Sequence, residues 1–339
     1  MSFGIKWHRL TDEQLLDFRL CDLPLHIKGT PLEFRLKRLY QELEERGIRF
    51  KPHVWLSEEW FSPDGVPGFA IPFYLAHPRL VKLERKQMLE VEGGTDLECM
   101  RILRHEAGHA LDTAFRLHFR RRWLELFGSF TQPYPDSYKP KPNSRNYVLH
   151  LEAWYAQAHP AEDFAETFAV WLTPGSRWRQ RYQGWPALRK LEYIDYLMKE
   201  LVGVSPKNQL RSRVEPLSQV KKTLHEHYRC KRQHYAFEWP AFYDRDLRRI
   251  FSHKPRQVWS PTAAGFLRRV RQELCQVVAE GTGVHPYTIN HVLQDMIERC
   301  QQLKLKMAVP ENQAKRQVMI MLTVQTMNVV HSGYYRIAV

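Results

Sequence analysis

Residues 105–109 read His-Glu-Ala-Gly-His, two imidazoles four positions apart with a carboxylate beside the first. The surrounding segment 97–119 has helical periodicity, and on a helix residues i and i+4 share a face with Cβ atoms about 5–6 Å apart. Both imidazoles can then meet one ion at the roughly 2.0–2.1 Å bond that zinc makes with nitrogen. Glu106 is placed to reach a water held by that ion. Arg101, His105, His109, Asp112 and Arg116 form a polar stripe opposite the apolar Leu103, Ala107, Ala110, Leu111 and Ala114. This predicts histidines that face a cleft, with Gly108 leaving room for a second segment to approach. With 16 His and 25 Glu in 339 residues, the pattern arises by chance in roughly one such chain in twenty, so a further ligand is needed to give it meaning.

A catalytic zinc ion takes three protein ligands and keeps one position for water. The stretch His159-Pro-Ala-Glu-Asp-Phe-Ala-Glu-Thr-Phe-Ala169 offers Glu162 in the first turn of a helix that Pro160 opens. Glu166 follows one turn later, among Phe164, Ala165, Phe168 and Ala169. A carboxylate there is costly to bury without a partner, and the outer N–H of a zinc-bound imidazole is such a partner. Glu162 is therefore the expected ligand and Glu166 the expected acceptor behind a ligand histidine. The competing reading assigns Glu162 and Asp163 to the helix dipole and Glu166 to solvent. Asp112, three residues after His109, is expected either to accept a ligand-histidine N–H or to pair with Arg116.

These groups need two helices to carry them, and the pattern supplies one from about Asp96 to His118 and another from Pro160. An earlier helix is expected over Pro31–Arg46, with Leu32, Leu36, Leu39 and Leu43 on one stripe and Gly47 as its stop. Strands are expected at Ile48–Leu56, Phe69–Leu75 and Arg79–Glu84, separated by the turn-rich Ser62–Gly68 and by His77-Pro78. Residues 205–339 read as helical, with stripes at Leu217/Val220/Leu224/Tyr228, Leu267/Val270/Leu274/Val277 and Ile289/Val292/Met296/Cys300. The run Met319–Val330 reads as a buried helix, interrupted by polar residues and short of the roughly 18 needed for a membrane span.

The net charge of +14 is uneven: residues 1–204 hold 29 Lys+Arg against 27 Asp+Glu, and residues 205–339 hold 22 against 10. That step suggests a catalytic domain over 1–204 and a basic helical domain over 205–339, whose field would attract an acidic partner, nucleic acid included. A mean hydropathy of −0.52 excludes a polytopic membrane protein. The five scattered cysteines form no C-x-x-C pair, which suggests neither a disulfide framework nor a cysteine zinc site and is expected to leave reduced, mostly packed thiols. With no apolar leader at the amino terminus, the expected location is the cytoplasm. The cluster His225-Glu-His227-x2-Cys230-x3-His234 matches no standard zinc spacing and is expected to be packed or solvated.

The motifs resemble the gluzincin metallopeptidases, whose H-E-x-x-H helix precedes a second helix carrying E-x-x-x-[DE]. The stretch Tyr155-x6-Glu162-x-Phe164-Ala165-Glu166 is similar to that of the lethal factor peptidase family. Trp154–Ala169 is similar to the signature of the bacterial "putative zinc-binding metallopeptidase" group. The resemblance covers about residues 30–200. It implies an α+β, zincin-like fold with a small mixed sheet and an active-site helix, followed by an all-helical carboxy-terminal extension. It further implies one Zn²⁺ per chain on His105, His109 and Glu162, with a peptide or protein as substrate. In this scheme Glu106 is the general base and Tyr155 the oxyanion donor, the competing reading of Tyr155 being a packed aromatic beside Trp154. Gly68–Leu75 would offer a sheet edge to an extended peptide, an edge position that Pro72 favours. The alternative function is a non-catalytic zinc-containing protein that docks acidic partners or nucleic acid through its basic half.

Overall fold

Thr11 caps the short helix Asp12–Leu16 (α1) through a capping box with Gln14, and Pro31 opens the longer Pro31–Glu45 (α2). Leu32, Leu36, Leu39 and Leu43 of α2 are all buried, as their spacing predicts. Gly47, at φ 75°, reverses the chain, with Gly47 N–H donating to Glu44 O and Ile48 N–H to Leu43 O. That is the paired bonding of a Schellman stop, which glycine adopts without steric cost. The computed structural model describes residues 7–88, 91–135, 137–138, 141, 144–234, 244–252, 261–331 and 337–338.

Strands His53–Ser57 (β1) and Gly68–Pro72 (β2) pair in parallel, in register from His53 opposite Gly68 to Ser57 opposite Pro72. An antiparallel bridge from Phe61 to Ala70 adds a third, short contact and makes the small sheet mixed. Ala70 N–H donates to Phe61 O at 2.8 Å, so β2 is flanked on both sides at Ala70, and every one of its residues is buried. The expected open edge is therefore not at β2. Residues 48–52 are not strand, and Phe73–Ala76 form a 3-10 turn.

The strand expected at Arg79–Glu84 is instead the helix Pro78–Met88 (α3). Pro78 sits at its first position rather than separating strands, and the buried residues Leu80, Leu83, Glu84 and Met88 recur with helical spacing. Asp96–Phe115 (α4), Arg121–Phe127 (α5), Pro160–Leu172 (α6), Trp178–Arg181 (α7) and Ala187–Glu200 (α8) follow. Apart from the strand correction, the fold is the α+β class expected, helix-rich with a small sheet.

By packing, the described residues within 7–86 and 91–227 form one compact unit, and 87–88 with the described residues from 228 on form another. The charge step at 204/205 and this boundary do not coincide, because β1 holds the intervening segment. Its alternate side chains reach one stretch of backbone: His53 Nε2 lies 2.8 Å from Ser212 O, Trp55 Nε1–H donates to Val214 O at 2.8 Å, and Ser57 Oγ–H donates to Glu215 O at 2.6 Å. Leu217–Gln219 is a 3-10 turn, and the helix expected over 217–228 begins only at Leu224 (α9, Leu224–His234).

The second unit is mostly helical, with α10 (Asp244–Ile250), α11 (Ala263–Thr282), α12 (Pro286–Gln302) and α13 (Glu311–His331), but it is not all-helical as expected, because Phe251–Ser252 and Lys306–Met307 pair as short antiparallel strands. Leu267, Val270, Leu274, Ile289, Val292, Met296 and Cys300 join one core, as their stripes predicted. Val277 is exposed. On α13 the expectation of full burial fails, since Ile320 is 65% and Val324 49% exposed while Val318 and Leu322 are buried. No helix among the described residues is long and apolar enough to cross a membrane. None of the five cysteines is in a disulfide.

Candidate active site

Thr95 starts α4 with a capping box, its Oγ1 accepting Glu98 N–H at 3.2 Å. The helix is held on two sides. Toward α2, Arg104 donates to both oxygens of Glu42 at 2.7 Å, with both side chains almost fully buried. Toward α6, contact is made at Gly108, where an added Cβ would lie 2.9 Å from Ala165 Cα, 3.2 Å from Ala165 O and 3.2 Å from Phe168 Cδ1. The room expected beside Gly108 is thus filled by the helix that carries the two glutamates. Gly108→Val is expected to force these backbones apart and to destabilise the fold by about 1–3 kcal/mol, read as a lowered denaturant midpoint; an unchanged midpoint would contradict this packing.

His159 caps α6, its Nδ1 accepting Ala161 N–H at 3.1 Å, and Pro160 occupies the first helical position. With α4 and α6 in contact, three donor atoms converge. His105 Nε2 lies 3.0 Å from Glu162 Oε2, His109 Nε2 lies 3.2 Å from the same oxygen, and the two nitrogens are 3.1 Å apart. Tetrahedral ligands at zinc bond lengths stand about 3.3 Å apart, close to these separations. Among the described residues this trio is the group of His, Cys, Asp or Glu side chains close enough to hold one metal ion. Within the segment His225–His234, His227 Nδ1 bonds Glu58 Oε1 at 2.9 Å, and the side chain of His234 lies outside the described residues.

Glu166 stands behind His105, with Oε1 2.8 Å from His105 Nδ1 and Oε2 accepting Leu151 N–H at 2.8 Å. A proton on Nδ1 leaves the Nε2 lone pair aimed at Glu162 and His109. Glu106, Glu162 and Glu166 are 6%, 5% and 1% exposed, so three carboxylates and two imidazoles share an interior site. Burying that much negative charge requires compensating positive charge, which protons on the imidazoles or a divalent cation supply. The residues present thus fit a zinc ion by donor type, spacing and charge.

The ionisation of the metal-free cluster follows the same logic. Burial would push the His105 imidazole down, but hydrogen bonds to Glu162 and Glu166 outweigh it and raise it well above its ordinary value. His109 is likewise raised, with burial opposed by the charge of Glu162. Burial acts against Glu162, yet the charge of His109 and the hydrogen bonds from both histidines hold its carboxyl well below the usual range. Glu106 moves the other way, raised by burial despite nearby His105 and His109.

Tyr155 lies beside His105, with ring centroids 5.6 Å apart. Burial first, then the charges of Glu162 and Glu106, raise its hydroxyl well above the usual phenol value, keeping it a proton donor. Trp154 just before it has φ 55°, a left-handed conformation costly for a bulky residue, and such strain collects where a side chain must be aimed. Asp112 departs from both expectations. Its Oδ2 bonds His118 Nδ1 at 2.5 Å, because Arg116, at φ 54°, turns the chain so that His118 comes back over the helix.

Two contacts escaped the sequence reading. Ser62 Oγ–H donates to Glu106 Oε2 at 2.8 Å, from a stretch that reads only as a turn. Tyr134 O–H donates to Glu162 Oε1 at 2.9 Å, from a proline-rich loop. Neither has a local signature, since both depend on contacts 44 and 28 residues away along the chain.

No curated protein and no solved structure matches the chain. The stretch 87–175, which holds His105, Glu106, His109, Tyr155, Glu162 and Glu166, is where the chain matches the family described as "Putative zinc-binding metallo-peptidase", the group its motifs were expected to resemble.

Proposed function

We propose that this protein is a zinc-dependent peptidase whose active site is built on α4 and α6. The observation that carries the reading is the convergence of His105 Nε2, His109 Nε2 and Glu162 Oε2 at 3.0–3.2 Å from one another, with the carboxylate of Glu106 beside them in the H-E-x-x-H sequence. The family match over the same segment supports it. His105, His109 and Glu162 are the residues that would hold the zinc ion, one per chain. The bound ion supplies a Lewis acid that polarises a peptide carbonyl and acidifies water.

The other roles belong to the chain's own groups. Glu106, with a carboxyl raised by burial, accepts a proton from the attacking water and passes it to the leaving amine. Ser62 O–H fixes one oxygen of that carboxylate and thereby its orientation. Glu166 accepts a hydrogen bond from His105 Nδ1–H and keeps the imidazole in the tautomer whose Nε2 is free. Tyr155 O–H donates to the oxygen that becomes negative as the carbonyl is attacked. Incubating the purified protein with peptides from a cell extract, with and without a chelator, tests the activity. New termini that appear only without chelator are expected; an identical peptide population in both samples would overturn the reading.

A further inference from the structure

The Glu162 carboxylate has two oxygens with different surroundings. Oε2 faces the two imidazoles, and Oε1 accepts the Tyr134 hydroxyl at 2.9 Å. We propose that Tyr134 is a positioning residue that ties down Glu162 Oε1, so that the carboxylate binds the ion through Oε2 alone and the fourth coordination place stays open for water. The inference rests on the reading of Glu162 as a zinc ligand and adds a device that sets how that ligand binds.

Tyr134 is 48% exposed, so the surrounding packing alone does not fix its side chain. Its ring is instead stacked on the His159 imidazole, with centroids 3.8 Å apart and planes 18° from parallel. His159 is itself fixed at both nitrogens: Nδ1 accepts Ala161 N–H at 3.1 Å, which leaves Nε2–H to donate to Gln132 O at 2.7 Å. Gln132 lies two residues before Tyr134, so the residue that caps α6 also grips the loop that bears the tyrosine. The contacts close a circuit from the start of α6 through Gln132 and Tyr134 back to Glu162, one turn into the same helix. A carboxylate free to rotate could offer both oxygens to the ion and fill the place that water needs. A hydrogen bond to one oxygen from a ring held by stacking removes that freedom.

The test compares wild type with Tyr134→Phe, which keeps the stacked ring and removes only the hydroxyl. Zinc affinity is measured by competition with a chromophoric chelator, and coordination is read from the visible absorption of the cobalt(II)-substituted proteins. Tyr134→Phe is expected to bind zinc about 10–100-fold more weakly, the usual consequence of losing an outer partner of a ligand. Its cobalt spectrum should shift from the intense bands of a four-coordinate ion toward the weaker bands of a five-coordinate one. If wild type binds one zinc ion and Tyr134→Phe matches it in both affinity and cobalt spectrum, the positioning role is overturned while the peptidase reading stands. If wild type takes up no zinc, both fall together.

Discussion

Glu106→Gln is expected to retain bound zinc and the native fold while hydrolysis falls by about 10²–10⁴-fold, the usual contribution of a positioned general base. Gln is nearly isosteric and can still accept the Ser62 hydroxyl, so the contact at 2.8 Å has no reason to break. What it loses is the ability to take a proton from water and return it to the amine. Burial raises the Glu106 carboxyl above its ordinary value; a carboxylate can take up a proton and give it back, and the amide cannot. Turnover of a cleaved peptide, with metal content measured on the same preparation, checks the prediction. Full activity with bound zinc would remove Glu106 from the role, and loss of zinc with activity would show that it serves the site structurally.

The second large effect concerns stability and lies behind the site. Glu42→Ala strips Arg104 of the carboxylate that takes both its hydrogen bonds, leaving a guanidinium 3% exposed in the interior. Removing one partner of such a pair costs about 3–5 kcal/mol, which in a unit of this size lowers the melting temperature by roughly 6–20 °C. Replacing both residues by apolar side chains of similar volume should recover most of the loss, because the cost lies in the stranded charge more than in the lost attraction. A melting temperature within about 1 °C of wild type for Glu42→Ala would show that the pair does not anchor α4. Because Arg104 immediately precedes His105, zinc affinity should fall along with stability.

How much of this was legible in the sequence depended on whether the signal was local. The starts of α4 and α6 follow from apolar spacing and the Pro160 first position, both local, whereas α4 ends at Phe115 rather than His118 because Arg116 turns left-handed. The meeting of α4 with α6 was foreshadowed by one residue, Gly108, because a missing side chain matters only where another backbone comes close. The segment Arg79–Glu84 reads as a strand although it is helical, because Leu80, Val81 and Leu83 fit a strand as readily as a helix over so short a run, and Pro78 can end one element or begin another. Ser62 and Tyr134 could not have been found, since nothing in a turn or a proline-rich loop says which distant carboxylate its hydroxyl will reach. Asp112 was misplaced for the related reason that the left-handed Arg116 brings His118 back to it. The charge step at 204/205 reflects composition, whereas the packing boundary at 227/228 reflects the backbone that β1 captures.

Joint ligation of a single ion by side chains from two helices, fifty-odd residues apart in the chain, is what the proposed function requires. Metal analysis of wild type, His109→Ala and Glu162→Ala, each purified without added metal and then dialysed against limiting zinc, tests it most directly. One zinc ion per wild-type chain is expected, with nearly all of it lost in each variant while circular dichroism shows the fold retained. Wild type without stoichiometric zinc, or a Glu162→Ala protein that holds zinc as tightly as wild type, would contradict it.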